Sequence, residues 1–143
     1  GPLYVHSEGI VRRTHFHTMV MYANLLQAHV ARTRIESDRL THDGSSVALV
    51  DAIATVDDSG TTWAVAMMNR HPSEQVLCKL VMGEHPIDGT YKATILTGDA
   101  PDSYNDIEHP HRVAPRKTEL TFEQGAISLP PHSLCIVEVM LKK

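Results

Sequence analysis

The apolar residues of this chain change period once, at Val30, and that change limits what the chain can fold into. From Thr14 to Val30 the sequence reads THFHTMVMYANLLQAHV. Phe16, Met19, Val20, Ala23, Leu26, Gln27 and Val30 recur at intervals of three and four, and only Gln27 among them is polar. That is the period of one helix face. No Gly or Pro interrupts it, and Thr14 is a candidate N-cap. The spacing predicts an amphipathic helix of about four turns over 14–29.

Beyond it the period is two. VARTRIES alternates Val30, Arg32 and Arg34 against Ala31, Thr33 and Ile35. SVALVDAIATV is an apolar run of β-branched and small residues. DDSG at 57–60 is a turn signal, and TTWAVAMMNR reads as the returning strand of a hairpin, with Trp63 at least partly buried. EQVLCKLVM and TYKATIL alternate again, KTELTF and GAISLP are shorter candidates, and SLCIVEVML closes with Cys135, Val137, Val139 and Leu141 on one face. Short strands broken by Gly, Pro and Asp clusters predict a mainly β fold: an antiparallel β-sandwich of jelly-roll type over 30–143, preceded by one amphipathic α-helix. A lone helix with an apolar stripe needs a surface to pack on. The sandwich itself or a neighbouring domain would supply it.

Composition narrows the function classes. At 143 residues the chain fits one domain that needs no disulfide or metal to fold. A net charge of −4 and a pI near 6.2 argue against nucleic acid, which requires a concentrated basic face. No apolar run reaches the roughly 18 residues of a membrane span. The start, GPLYVHSEGI, lacks the basic and apolar segments of a signal peptide. Cys78 and Cys135 lie in strand-like apolar runs and read as buried free thiols, although a cross-strand disulfide is also compatible. The expected setting is cytoplasmic, with no membrane and no nucleic-acid partner.

The densest polar cluster is YNDIEHPHRVAP at 104–115. His109 and His111 there would supply two metal ligands, and a third would have to come from Glu108, Asp106 or elsewhere; the plainer reading is of surface loop histidines. His15 and His17 sit two apart on the predicted helix and cannot chelate together. DAPDSYNDIE lacks the Gly and the final acidic residue of a calcium-binding EF-hand loop. His132 and Ser133 are adjacent and point to opposite sides of a strand mouth, so they form no triad. Asp106 and Glu108 do not make a convincing acid/base pair. No metal, cofactor or catalytic residue is assigned. The segment reads as a structural crossover loop: Asn105 and Asp106 bond local backbone, Pro110 fixes φ, and Glu108 and Arg112 are spaced to pair.

Several of these residues carry a family resemblance. LTGDAPDSYNDIEHPHRVAP followed by ISLPPHSLCIVEVML resembles the C-terminal end of α-L-arabinofuranosidases of glycoside hydrolase family 51. The matching positions are Asn105, Glu108, Pro110, Val113 and Pro115, then Leu129, Pro130, Pro131 and Ser133. Asn69, Arg70 and His71 match that family's VNRH, and residues 1–24 resemble the end of its barrel. The resemblance implies that residues 1–29 are the loop and last helix of a (β/α)8 barrel and 30–143 a C-terminal β-sandwich domain. It implies that both catalytic glutamates belong to earlier barrel strands outside this sequence. The domain would then support the barrel and shape homo-oligomer contacts in an enzyme acting on arabinose-containing oligosaccharides. Tyr4, His6 and Glu8, in a loop on the barrel's active-site side, become substrate-rim candidates, against the plainer reading of a flexible tail. The competing reading is a small non-catalytic carbohydrate-binding module. Aromatics at 5% and a single Trp weigh against it, because such modules stack aromatics on sugar rings.

Overall fold

A computed structural model describes residues 1–141. It is mainly antiparallel β with one helix. In chain order the elements are β1 (Leu3–His6), β2 (Gly9–Arg12), α1 (Thr14–Leu25), β3 (His29–Val30), β4 (Arg39–His42), β5 (Ser45–Ala48), β6 (Val50–Val56), β7 (Thr62–Asn69), β8 (Val76–Lys79), β9 (Val81–Met82), β10 (His85–Pro86), β11 (Gly89–Leu96), β12 (Arg116–Phe122), β13 (Ala126–Leu129) and β14 (Ser133–Met140). Six strands form the main sheet, in the order β12-β11-β14-β7-β6-β3. Small two-stranded sheets, β13-β8 and β9-β10, lie over one of its faces, and α1 lies on the other.

Strand β14 is central and covered on both faces. Cys135, Val137 and Val139 enter the core shared with Phe122, Ile127 and Leu129. Leu134 and Ile136 point the other way and meet Met21 of the helix. Burial on both sides explains why LCIV reads as a continuous apolar run rather than an alternation. Cys78 and Cys135 are free thiols, and burial pushes Cys135 up to about 12.

The hairpin at 57–60 is present. Asp57 Oδ1 accepts from the backbone N–H groups of Thr61 and Thr62, and Gly60 supplies the positive φ that closes the turn. Trp63 is half-buried against the inner core, as expected. The β12–β13 turn uses Gln124 and Gly125, both with positive φ, as a two-residue hairpin with matching twist requires. A Cβ on Gly125 would lie 2.8 Å from the Leu80 carbonyl oxygen, so this turn also needs the absence of a side chain.

The structure corrects the sequence reading in several places. The helix ends at Leu25 rather than near 29, because Leu26 is already extended and His29–Val30 pairs with β6. Its N-cap is Arg13 rather than Thr14, with no side-chain cap. The expected strand through residues 31–36 is irregular, and the run after it divides into β5 and β6. The N-terminal residues form a hairpin, β1–β2, with Val11 buried.

The largest correction concerns the helix stripe. Met21 is 2% exposed and packs on the sheet with Tyr22, Leu25 and Leu26, whereas Met19 is 60% exposed and Val20 and Ala23 are also open. Met19 and Met21 differ by about 200° around a helix of about 3.6 residues per turn. The helix is therefore apolar on two opposite sides. It rests on the sandwich with the side that the three-and-four spacing did not select.

Candidate functional site

The β1–β2 hairpin and the 104–115 loop, which carry most of the polar groups singled out in the sequence, meet at the hairpin's base through Asn105 and Arg12. Tyr4, His6 and Glu8 cluster at the hairpin. The Tyr4 and His6 ring centroids lie 6.1 Å apart, and the Glu8 backbone N–H donates to His6 Nδ1. The His6 and Glu8 side chains approach to 3.8 Å. The Arg13 guanidinium sits 5.5 Å from the Tyr4 ring centroid, a cation–π contact that orients the ring. Two alternate residues of β1, Tyr4 and His6, and the hairpin turn thus present a phenol, an imidazole and a carboxylate together.

The loop beside it is organised by Asn105, which is 5% exposed. Its Oδ1 accepts from the Val113 N–H at 2.7 Å, and its Nδ2 donates to the Val113 carbonyl at 2.7 Å and to the Arg12 carbonyl at 2.9 Å. One amide side chain therefore closes its own loop and ties that loop to the end of β2. Val113 is buried in the helix-side core, which seats the closed loop on the sheet. Asp106 Oδ1 accepts from the His109 backbone N–H. The expected Glu108–Arg112 pair does not form: both side chains are exposed, and the short carboxylate–imidazole approach in the loop is Asp106 to His109 at 3.3 Å. Solvent competes well for two such exposed, flexible side chains. Pro110 is half-buried within the loop.

His17 on α1 was not singled out as functional, yet it faces this region. Its Nε2 is buried without a hydrogen-bond partner. Burial first, then the positive charges of Arg12 and His111, hold its pKa below the ordinary imidazole value. The neutral ring is favoured, and it lies edge-on to the Phe16 ring at 5.8 Å between centroids.

The other motif residues act on backbone. Asn69 is buried, and its Nδ2 donates to the carbonyls of Glu74, Leu129 and Pro130, while its Oδ1 accepts from the His71 N–H. Arg70 donates to the Ala48 carbonyl and to Asp51 Oδ2. His71 Nδ1 accepts from the N–H groups of Ser73 and Glu74. Ser133 Oγ donates to the Pro130 carbonyl, and the His132 ring nitrogens lie 2.9 and 2.8 Å from the carbonyl oxygens of Pro72 and Gly98. These side chains supply partners to loop backbone, buried or part-buried at Leu129 and Pro130 and exposed at Ser73 and Glu74. No group of three or more potential metal ligands occurs among the described residues.

Two clefts flank α1 on the sheet. One of about 330 Å³ is lined by Tyr22, Leu26, Ile53, Ala66 and Met68, with Asp51 at its edge. Burial and then Asp51 raise the Tyr22 pKa, against the opposing pull of Arg70. The second, about 540 Å³, is more polar, with Lys92, Lys117, Glu119 and Glu138 above a floor of Ala64 and Ile136.

Comparison with known proteins agrees with this architecture. The profile of the α-L-arabinofuranosidase C-terminal domain family matches residues 1–133. The fold is similar to an α-L-arabinofuranosidase from Thermotoga maritima solved as an arabinose complex, with a TM-score of 0.82 at 19% identity over 99% of this chain and 32% of that one. It is also similar to a family 51 arabinofuranosidase from Xanthomonas axonopodis pv. citri, with a TM-score of 0.82 at 19% identity over 97% of this chain and 28% of that one. The family 51 enzyme from Bifidobacterium longum gives 0.80 at 22% identity, covering 98% and 27%. The chain spans about a third or less of the length of these enzymes. No curated protein sequence matches it. The chain belongs to the α-L-arabinofuranosidase C-terminal domain family.

Proposed function

We propose that residues 1–29 are the closing loop and last helix of a (β/α)8 barrel, and that 30–143 are the C-terminal domain of an α-L-arabinofuranosidase. The barrel, in cis or in trans, carries the chemistry. It removes terminal α-L-arabinofuranosyl groups from plant arabinans and arabinoxylans with two glutamates, one attacking the anomeric carbon and the other serving as acid and then base. The sandwich supports the barrel and shapes homo-oligomer contacts. Tyr4, His6 and Glu8 line the substrate rim, since active sites in such barrels sit at the C-terminal ends of the strands. A reducing, cytoplasmic setting fits two free cysteines, and among the described residues no helix is long and apolar enough to cross a membrane.

The observation that carries this reading is the two-sided helix. Met21 and Leu25 pack on the sheet, while Met19, Val20 and Ala23 form an open apolar side. A helix apolar on opposite sides belongs between two packed layers. The barrel wall is the second layer. The carbohydrate-module alternative would have to rest on Tyr4 and Tyr104, the exposed aromatics among the described residues, since Trp63 packs against the inner core and Tyr91 lies edge-on to Phe122.

Complementation tests the proposal. The chain alone should not hydrolyse p-nitrophenyl α-L-arabinofuranoside, and mixing it with the separately produced barrel of its enzyme should restore turnover. Hydrolysis by the chain alone, abolished by Glu8→Gln or Glu108→Gln, would show that the accessory-domain reading is wrong.

A further inference from the structure

The contact between Asn105 and Arg12 spans 93 positions of sequence. It joins a loop of the sandwich to the end of β2, one residue before the N-cap of α1. Two further contacts hold the base of the same hairpin: the Arg13 N–H donates to the Pro2 carbonyl, and Val11 is buried. The Arg12 guanidinium also lies 5.6 Å from the Phe16 ring centroid of α1, while Leu3, Val5 and Ile10 are exposed. The hairpin's placement therefore depends on a few anchors at its base, and Asn105 is the one reaching it from the far end of the chain.

We infer that Asn105 is a positioning residue: through the Arg12 carbonyl it sets the orientation of the hairpin that presents Tyr4, His6 and Glu8. The sandwich thereby fixes the placement of a substrate-contacting loop it does not itself carry. This rests on the rim role given to those three residues above. The geometry suits the task. Asn105 is locked by its paired bonds to Val113, so it offers Nδ2 to Arg12 from a rigid frame, and Val113 is clamped into the helix-side core. An aspartate in its place keeps the acceptor for the Val113 N–H. It loses the donor shared by the Arg12 and Val113 carbonyls and sets a carboxylate oxygen against both.

Two measurements on Asn105→Asp and Asn105→Ala test the inference. In the 143-residue chain, amide hydrogen exchange across residues 3–12 should accelerate, while β7 and β14 keep their protection. Asp106→Ala, in the same loop but bonded to His109, should leave residues 3–12 unchanged. In the barrel-containing enzyme the Asn105 variants should raise KM for an arabinofuranoside roughly tenfold with kcat nearly unchanged, the signature of lost rim binding. A merely structural role would lower the folded fraction and leave the KM of that fraction alone. Unchanged exchange in 3–12, or an unchanged KM in an active enzyme, overturns the inference. Faster exchange together with a wild-type enzyme inactive on arabinofuranosides would instead uphold the positioning contact and remove the proposed substrate.

Discussion

Two sides of one helix are alike in apolar character and opposite in exposure: Met21 is buried and Met19 is open. On the Met21 side, α1 meets Ala64, Ala66, Leu134 and Ile136, with Met21 buried and Tyr22 and Leu25 half-buried. On the Met19 side, equally apolar residues face outward. Sequence treats the sides alike, since both carry Met, Leu, Val or Phe at helical spacing. What separates them is the partner. The side chains opposite Met21 are small on β7, Ala64 and Ala66, and branched on β14, Leu134 and Ile136, so Met21 reaches the sheet and is buried there, with a cleft on either side. Nothing within the described residues fills that role for Met19.

The comparison breaks first at its buried side. Met21→Ala should destabilise the chain by about 2–5 kcal/mol, the range for truncating a fully buried side chain, measured by denaturant unfolding. A cost below about 0.5 kcal/mol, as at ordinary surface sites, would mean that α1 does not rest on the sheet. Asn69→Ala comes next. It leaves the Glu74, Leu129 and Pro130 carbonyls and the His71 N–H without their partner. Orphaning buried groups costs about 1–3 kcal/mol, and protection should fall at residues 71–75 and 129–131 together.

The polar flank of the helix adds a pH effect. His17 has a folded pKa held below its unfolded value. Between the ordinary value near 6.5 and that lower folded value, the unfolded chain binds more protons, so stability falls as pH drops through this window. Stability should be flat above it with respect to this group. His17→Phe should flatten the loss that is seen on acidification, and a wild-type profile retained in that variant would remove His17 as its source. Asp57 behaves similarly at more acidic pH. Desolvation, the largest single influence, works against it, but together the Thr62 N–H, the Ser59 hydroxyl and the N–H groups of Thr61 and Gly60 hold its carboxyl below the usual range. Asp57→Ala should open the 57–60 turn while leaving α1 protected.

The smallest effect sits on the open side. Met19→Ser should change the stability of the isolated chain by no more than about 0.5 kcal/mol, yet weaken binding to the barrel. A large loss of stability in the isolated chain would show that Met19 is already buried by something else.

How far the sequence showed all this depends on which force decides each element. The 57–60 hairpin was legible because local chemistry specifies it: Asp57 bonds its own turn and Gly60 supplies the positive φ. Strand β14 was legible because burial on both faces leaves an apolar run. The helix was legible as a helix, but its resting side was not. Periodicity reports which residues share a face, and it does not report which of two apolar faces meets which neighbour. The β1–β2 hairpin was missed because Leu3, Val5 and Ile10 remain exposed, so no inward-facing pattern marks it. Asn105 was singled out as a loop residue bonding local backbone. Its reach to Arg12 is a tertiary contact that no local pattern contains. The Glu108–Arg112 pair failed for the opposite reason: suitable spacing on an exposed loop does not bring two side chains together.

Thiol labelling at paired positions tests the two-sided helix most directly. Met19→Cys should react rapidly in the isolated chain and become protected when the barrel is added, while Met21→Cys should stay protected in both states. Equal reactivity of the two thiols in the isolated chain, or no protection of Met19→Cys by the barrel, would contradict the claim that α1 is held between the sandwich and a barrel wall.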